Sequence, residues 1–154
     1  PYVDVDTYDA VELGLAYLKE MGHKKIAFAT LYDFFHDSRL HPRHVAFGNQ
    51  MKAVYGKQFR DYIIDNAGNT RPAFARENFF EEGMSGADRF LERNCGATAI
   101  FCFNDEFALG MLRRFEQLNI RVRKQEVCDT VSIFCVFKHR RAGRMLRQYP
   151  AGYD

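Results

Sequence analysis

The residues best suited to chemistry lie where an apolar run stops on a polar pair. Residues 99–103, AIFCF, are followed at once by Asn104 and Asp105. The side-chain oxygen of Asn104 can cap a helix, and Asp105 complements the positive end of the helix dipole. Capping could by itself explain the pair. The same amide can also donate to and accept from a polyhydroxylated ligand, so the junction predicts a cap that doubles as a ligand contact.

Other reactive side chains do not form a recognisable centre in the sequence. His41 and His44 stand three residues apart, a spacing that could place two ligands on one helix face, but no carboxylate or thiol partner is evident, so we expect no metal site and no cofactor. The four cysteines, at positions 95, 102, 128 and 135, form no CxxC pair and favour a reducing compartment. The chain contains no GxGxxG, GxxxxGK[ST], GxSxG or HExxH motif. An enzyme is therefore not expected.

The length and net charge of the chain limit the number of domains and the classes of partner that can be expected. With 154 residues, 47% of them hydrophobic, the chain can build one core, and we predict a single domain over residues 1–137. A basic tail of uncertain structure follows at 138–154; it could bind phosphates or be an altered terminus. The net charge of +2 gives no general reason to expect a nucleic-acid or membrane partner. No leader or membrane span is apparent, which predicts a cytoplasmic protein. The chain begins with Pro1 and not with Met, which suggests a fragment or a processed piece.

The elements that must hold Asn104 alternate along the chain. Apolar residues at helical spacing predict helices, and short apolar runs bounded by polar residues predict buried strands. Examples of such helical stripes are Phe47, Met51 and Val54 in one helix and Phe80, Met84, Ala87 and Leu91 in the next. The predicted helices cover 7–21, 43–55, roughly 80–91 and 104–118, and the predicted strands cover 26–29, 62–64, 98–103 and 131–137. This alternation predicts an α/β fold, a three-layer parallel sheet with helices on both faces. Ligands collect at the carboxyl ends of such strands, where Asn104 and the loop 30–42 lie.

Three segments resemble the LacI/purine-repressor type of bacterial transcription regulators. They are MGHKKIAFAT at 21–30, RHVAFGNQM at 43–51 and TAIFCFNDEFALGMLRRFEQLNIRV at 98–122. Gly22–His23, Arg43 with Ala46–Phe47, and Asn104–Asp105 match the family pattern. The resemblance implies the C-terminal lobe of an effector-binding domain, that is, one lobe of a type I periplasmic-binding-protein-like fold.

The same resemblance implies residues for the ligand site. Arg43 and Asn104 would contact the effector, with Asp37, Arg39 and Phe79 as further candidates. An arginine offers a rigid fork of donors for vicinal hydroxyls or a carboxylate. Arg43 could instead be a surface residue that opens its helix.

The implied function is a ligand-sensing lobe that binds a small effector, sugar-like or nucleobase-like, in a protein that forms a homodimer. We expect DNA to be bound only through a helix-turn-helix outside this chain, and the first lobe to be absent. After Val122 the likeness decays, because the last predicted strand runs into Lys138 without the expected aspartate. A periplasmic sugar-binding receptor fragment and a self-associating structural fragment are the alternatives.

Overall fold

The computed structural model describes residues 7–36, 42–67, 78–122 and 132–135. Helices and strands alternate along them, as the sequence predicts. The helices are α1 (Thr7–Glu20), α2 (Pro42–Tyr55), α3 (Phe79–Arg93) and α4 (Asp105–Gln117), with a 3-10 helix at Gly56–Tyr62. The strands are β1 (Ile26–Ala29), β2 (Ile63–Ile64), β3 (Ala99–Cys102) and β4 (Ser132–Cys135).

The four strands form one parallel sheet in the order β2-β1-β3-β4. Phe28 is in register with Ile63 on one side and with Phe101 on the other, and Cys102 is in register with Cys135. All residues of β1 and β3 are buried, which matches strands covered on both faces. The predicted fold class is therefore confirmed.

Each face of the sheet carries a pair of helices. On one face, the Phe28 and Phe101 rings lie 4.3 and 5.4 Å from the ring of Phe47 in α2, and α1 packs beside α2. On the other face, the Cys102 thiol lies 3.6 Å from Met111 Sδ in α4, and α3 packs beside α4. The core is thus divided by the sheet into two apolar layers.

The helix ends follow the turn residues in the sequence. Gly22 and Gly56 have positive φ angles of 90° and 57°, which suits glycine and ends α1 and α2 where predicted. Beyond Gly56, however, the chain forms the unpredicted 3-10 helix, which buries Phe59 and Tyr62. These two rings supply the apolar contacts that secure this short segment.

Some residues of the predicted apolar stripes are exposed. Val54 is 46% exposed, because in the last turn of α2 it is Tyr55 that turns inward, where its hydroxyl hydrogen-bonds the backbone of Lys24 and Ile26. Leu91 is 38% exposed, and Phe90 is buried in its place. The buried face of α3 is rotated toward its glycines, which carry no hydropathy signal and lie against α4.

Two predictions concern residues or features outside the sheet. The tail at 138–154 lies outside the described residues, so the predicted domain boundary stays a prediction. None of the described helices combines the length and apolar character that a bilayer crossing requires.

Candidate functional site

The strand order creates a crevice between two strand ends. From β1 the chain crosses to β2 on one side, whereas from β3 it crosses to β4 on the other. The connections therefore diverge between the carboxyl ends of β1 and β3, the position where open parallel sheets bind ligands. The Phe103 amide donates to the Ala29 carbonyl at 3.1 Å, which keeps the two strand tips side by side.

Asn104 lies at this crevice and caps α4. Its Oδ1 accepts a hydrogen bond of 2.8 Å from the Phe107 amide, and Asp105 and Glu106 occupy the first turn. The capping half of the prediction is confirmed. The hydrogen bonds found among the described residues engage only Oδ1, so Nδ2 is the group of this side chain that can donate to a ligand.

Removing the Asn104 side chain should weaken α4 measurably. Asn104→Ala leaves the Phe107 amide without its acceptor, and we expect the free energy of unfolding to fall by about 1 kcal/mol. Urea unfolding followed by circular dichroism measures the change. Asn104→Ser is the matched control, since serine restores a capping oxygen and should recover most of the loss. Equal losses in both variants would contradict the capping role.

The structure brings position 43 to the same edge. Arg43 lies in the first turn of α2, and its neighbour His44 packs its ring 4.9 Å from that of Tyr32 and 5.8 Å from that of Phe103. Phe103 directly precedes Asn104. The start of α2, where Arg43 lies, is therefore at the same edge of the sheet as the Asn104 cap, while the effector contacts of both residues stay predictions.

The other predicted site residues divide into two groups. Phe79 begins α3, and its ring lies 5.9 Å from the Phe103 ring, so it belongs to the same edge. Asp37 and Arg39 lie outside the described residues, and so does His41. Their predicted roles are neither supported nor contradicted by the fold.

His44 has a structural place that spacing alone did not indicate. It is 1% exposed, and its Nε2 lies 2.7 Å from Thr30 Oγ1, which also accepts from the Tyr32 amide at 3.2 Å. This pair ties the start of α2 to the end of β1. Within the described part of the chain no group of three histidine, cysteine, aspartate or glutamate residues could hold a metal ion.

Two aromatic residues of the crevice were not singled out from the sequence. The rings of Tyr32 and Phe103 meet edge to face at 5.6 Å, one from each strand end. Their position just beyond a buried strand is the signal that could have found them. Apolar faces beside the Asn104 amide suit a ring-shaped ligand with polar edges.

Asp65 follows β2 at the same edge of the sheet. Its Oδ2 accepts from the Phe34 amide at 3.2 Å, and its Oδ1 lies 3.8 Å from Arg93 Nη2. Desolvation in its buried position raises the pKa of this carboxyl above its usual value, although the Phe34 hydrogen bond opposes the shift.

Comparison with known proteins gives the same assignment. Residues 15–139 match the periplasmic binding protein-like domain. The HTH-type transcriptional repressor PurR of Vibrio atlanticus is 31% identical over 117 residues, which is 71% of this chain and 29% of the repressor. The chain thus spans under a third of the length of that relative.

Solved structures agree on the fold. A sugar-binding transcriptional regulator of the LacI family from Escherichia coli, complexed with phosphate, superposes with a TM-score of 0.63 at 22% identity, covering 90% of this chain and 44% of the regulator. A PurR family regulator from Vibrio parahaemolyticus has a TM-score of 0.59 at 16% identity, covering 86% and 44%. All three relatives are described as transcriptional regulators rather than enzymes. The LacI/purine-repressor resemblance is confirmed, and the chain belongs to the periplasmic binding protein-like domain family.

Proposed function

We propose that this chain is a ligand-sensing lobe of a LacI-type transcription regulator, which binds a small sugar-like or nucleobase-like effector. The observation that carries the proposal is the divergence of the chain between β1 and β3, with the Asn104 amide at the opening. Membership of the periplasmic binding protein-like family supports it. The lobe has no chemistry of its own: it converts occupancy into a change of conformation.

The binding surface combines one side-chain amide with aromatic faces. The Asn104 amide donates to a hydroxyl or carbonyl oxygen, and the partly exposed rings of Tyr32 and Phe79 cover the apolar faces of a ring. The buried Phe103 ring contacts both of them and supports them from below. In this proposal Arg43 fixes the orientation of the ligand with its paired donors. Asp37 and Arg39, which precede Arg43 in the sequence, stay further candidates for effector contact.

This lobe is one of two in the proposed regulator. The second lobe supplies the opposite half of the ligand shell, and a helix-turn-helix outside the 154 residues binds DNA. The regulator acts on DNA and therefore works in the cytoplasm. Because only half of the shell is present, the chain by itself binds its effector weakly.

Calorimetry with a panel of D-ribose, D-glucose, adenine and guanine tests the proposal. We expect binding of one class with a dissociation constant on the order of 1 mM, equivalent to about 4 kcal/mol. Micromolar affinity would contradict the half-site argument. No heat of binding for any member at concentrations up to the solubility limit would contradict the effector class.

Asn104→Asp separates the ligand contact from the cap. Aspartate keeps the oxygen that accepts from the Phe107 amide, so the free energy of unfolding should change by less than about 0.5 kcal/mol. It removes the amide donor, so binding of the responsive probe should be lost. Asn119→Asp, in the turn after α4, is the control and should leave binding unchanged. Unaltered binding by Asn104→Asp would remove this residue from the proposed site.

We also propose that the regulator is a homodimer. Large apolar side chains remain exposed on α1, Tyr8 at 51% and Leu13 at 46%, and burying either of them against a second copy would be favourable. Light scattering across a concentration series measures the association. A monomer at every concentration would argue against dimerisation through this lobe.

A further inference from the structure

The two residues that follow β2, Asp65 and Asn66, hold the loop that follows β1. The Asp65 carboxylate accepts from the Phe34 amide at 3.2 Å, and the Asn66 amide donates to the Tyr32 carbonyl at 3.2 Å. The Asn66 side chain in turn donates to Glu82 Oε2 of α3 at 3.3 Å. The loop of residues 30–36 is therefore positioned by the neighbouring strand as well as by its own.

Asp65 occupies a place that is unfavourable for a charge. Its side chain is 2% exposed, and the Arg93 guanidinium at 3.8 Å is too distant for a hydrogen bond and is itself 43% exposed. A cavity of about 440 Å³ opens beside it along α3. The charged groups that face Asp65 from the loop and from α3 are Asp33, Arg89, Glu92 and Arg93. Because burial outweighs the favourable hydrogen bond and the distant guanidinium, we expect the charged carboxylate to destabilise the fold relative to a neutral isostere.

The loop held by Asp65 includes Tyr32, which lines one side of the crevice. Tyr32 lies two residues before Phe34, and its ring contacts Phe103, the residue before Asn104. Phe34 is buried against Phe28, with ring centroids 6.0 Å apart, so its backbone has a defined position. A shift of the Phe34 amide would therefore move Tyr32 relative to Asn104.

We propose that Asp65 is a positioning residue of the effector site: its carboxylate holds the loop 30–36 so that Tyr32 stands beside Phe103 and Asn104. The effect of Asp65 on effector binding rests on the proposed function, whereas its positioning of the loop 30–36 does not. Groups that reduce stability while organising a binding site are a recurrent feature of functional surfaces.

Three variants of the full chain test the proposal. Asp65→Asn keeps an acceptor for the Phe34 amide but removes the charge, Asp65→Leu removes both, and Asp61→Asn neutralises an exposed aspartate nearby as the control. Amide hydrogen exchange at Phe34, the thermal midpoint and binding of the calorimetry panel are measured for each. Leucine should accelerate exchange at Phe34 by roughly tenfold, and asparagine by less, because a neutral acceptor is weaker than a carboxylate.

The thermal midpoint and binding should change in opposite directions for Asp65→Asn. Its midpoint at neutral pH should equal or exceed that of the parent, while binding of the responsive probe weakens severalfold. Because the pKa of Asp65 is raised in the folded chain, the stability contributed by its protonated form is lost as pH rises through that pKa. The midpoint difference should therefore be small in acid and grow toward neutral pH, whereas Asp61→Asn should show neither change.

Two results would overturn the proposal. Exchange at Phe34 that is unchanged in Asp65→Leu would mean that Asp65 does not hold the loop. A lower midpoint with unchanged binding in Asp65→Asn would mean that the residue is purely structural. If the parent chain binds no member of the panel, the proposed function fails and the effector link of Asp65 falls with it, while exchange at Phe34 still decides whether Asp65 holds the loop.

Discussion

Replacing Gly110 with alanine should lower the free energy of unfolding by about 3 kcal/mol. A Cβ at this position would overlap the carbonyl oxygen of Phe80 and lie 2.8 Å from its carbonyl carbon and 3.0 Å from Gly83 Cα. These are backbone atoms of the facing helix α3, so no side-chain rotation can relieve the overlap. Alanine normally stabilises a helix interior relative to glycine by about 1 kcal/mol, so the expected sign is opposite to that of helix propensity.

Gly83 and Gly48 provide the comparison for this result. Gly83→Ala should behave like Gly110→Ala, since its Cβ would overlap the Phe107 carbonyl, and the double variant should lose less than the sum of the two. In Gly48→Ala of α2 the nearest atom is the Phe34 ring at 2.9 Å, which can shift, so we expect a change within about 1 kcal/mol. Urea unfolding by circular dichroism measures all four. A stabilised Gly110→Ala would show that α3 and α4 lie farther apart.

The close approach of α3 and α4 also concerns the crevice. Phe79 begins α3 and Asn104 caps α4, so both helices start at the carboxyl edge of the sheet. The salt bridge between Arg114 and Asp88, 2.8 Å long, joins the same two helices near their other ends. A methyl group between them would alter the spacing of Phe79 and Asn104.

Phe28→Ala should lower the free energy of unfolding by about 4 kcal/mol. Phe28 is fully buried in β1, one of the two strands that have neighbours on both sides. Its ring stacks on Phe47 at 4.3 Å and lies within 6.3 Å of the Phe101 ring. Truncation removes these contacts and leaves a cavity that the rigid strand cannot close.

Phe28→Leu is the matched variant, because it keeps most of the apolar volume and should lose about half as much. Val54→Ala, at a side chain 46% exposed, should change stability by less than about 0.5 kcal/mol. The midpoint in urea reports each loss. If Phe28→Ala lost less free energy of unfolding than Phe28→Leu, the core would not be organised around this ring.

The sequence by itself determined the order of the helices and strands. It also indicated that a polar, helix-capping residue follows a buried strand at the carboxyl edge of the sheet. Short apolar runs between polar residues at 26–29 and 99–102 indicated buried strands, and positive φ at Gly22 and Gly56 agrees with the predicted helix ends. The polar residue Asn104 after an apolar run was a local signal, because capping depends on groups only three residues apart. Interactions of this kind can be predicted from the sequence, because the groups that take part lie within one helical turn of each other.

The tertiary structure decided which distant groups meet. Leu91 was assigned to the apolar stripe of the third predicted helix and Gly83 was overlooked, because hydropathy measures apolar area and gives no value to the close approach of two backbones. The burial of His44 against Thr30 and the hold of Asp65 on Phe34 join residues 14 and 31 positions apart. The first contact forms when α2 packs back onto the end of β1, and the second forms when β1 and β2 lie side by side. Both depend on how the elements pack in three dimensions and not on their spacing in the sequence.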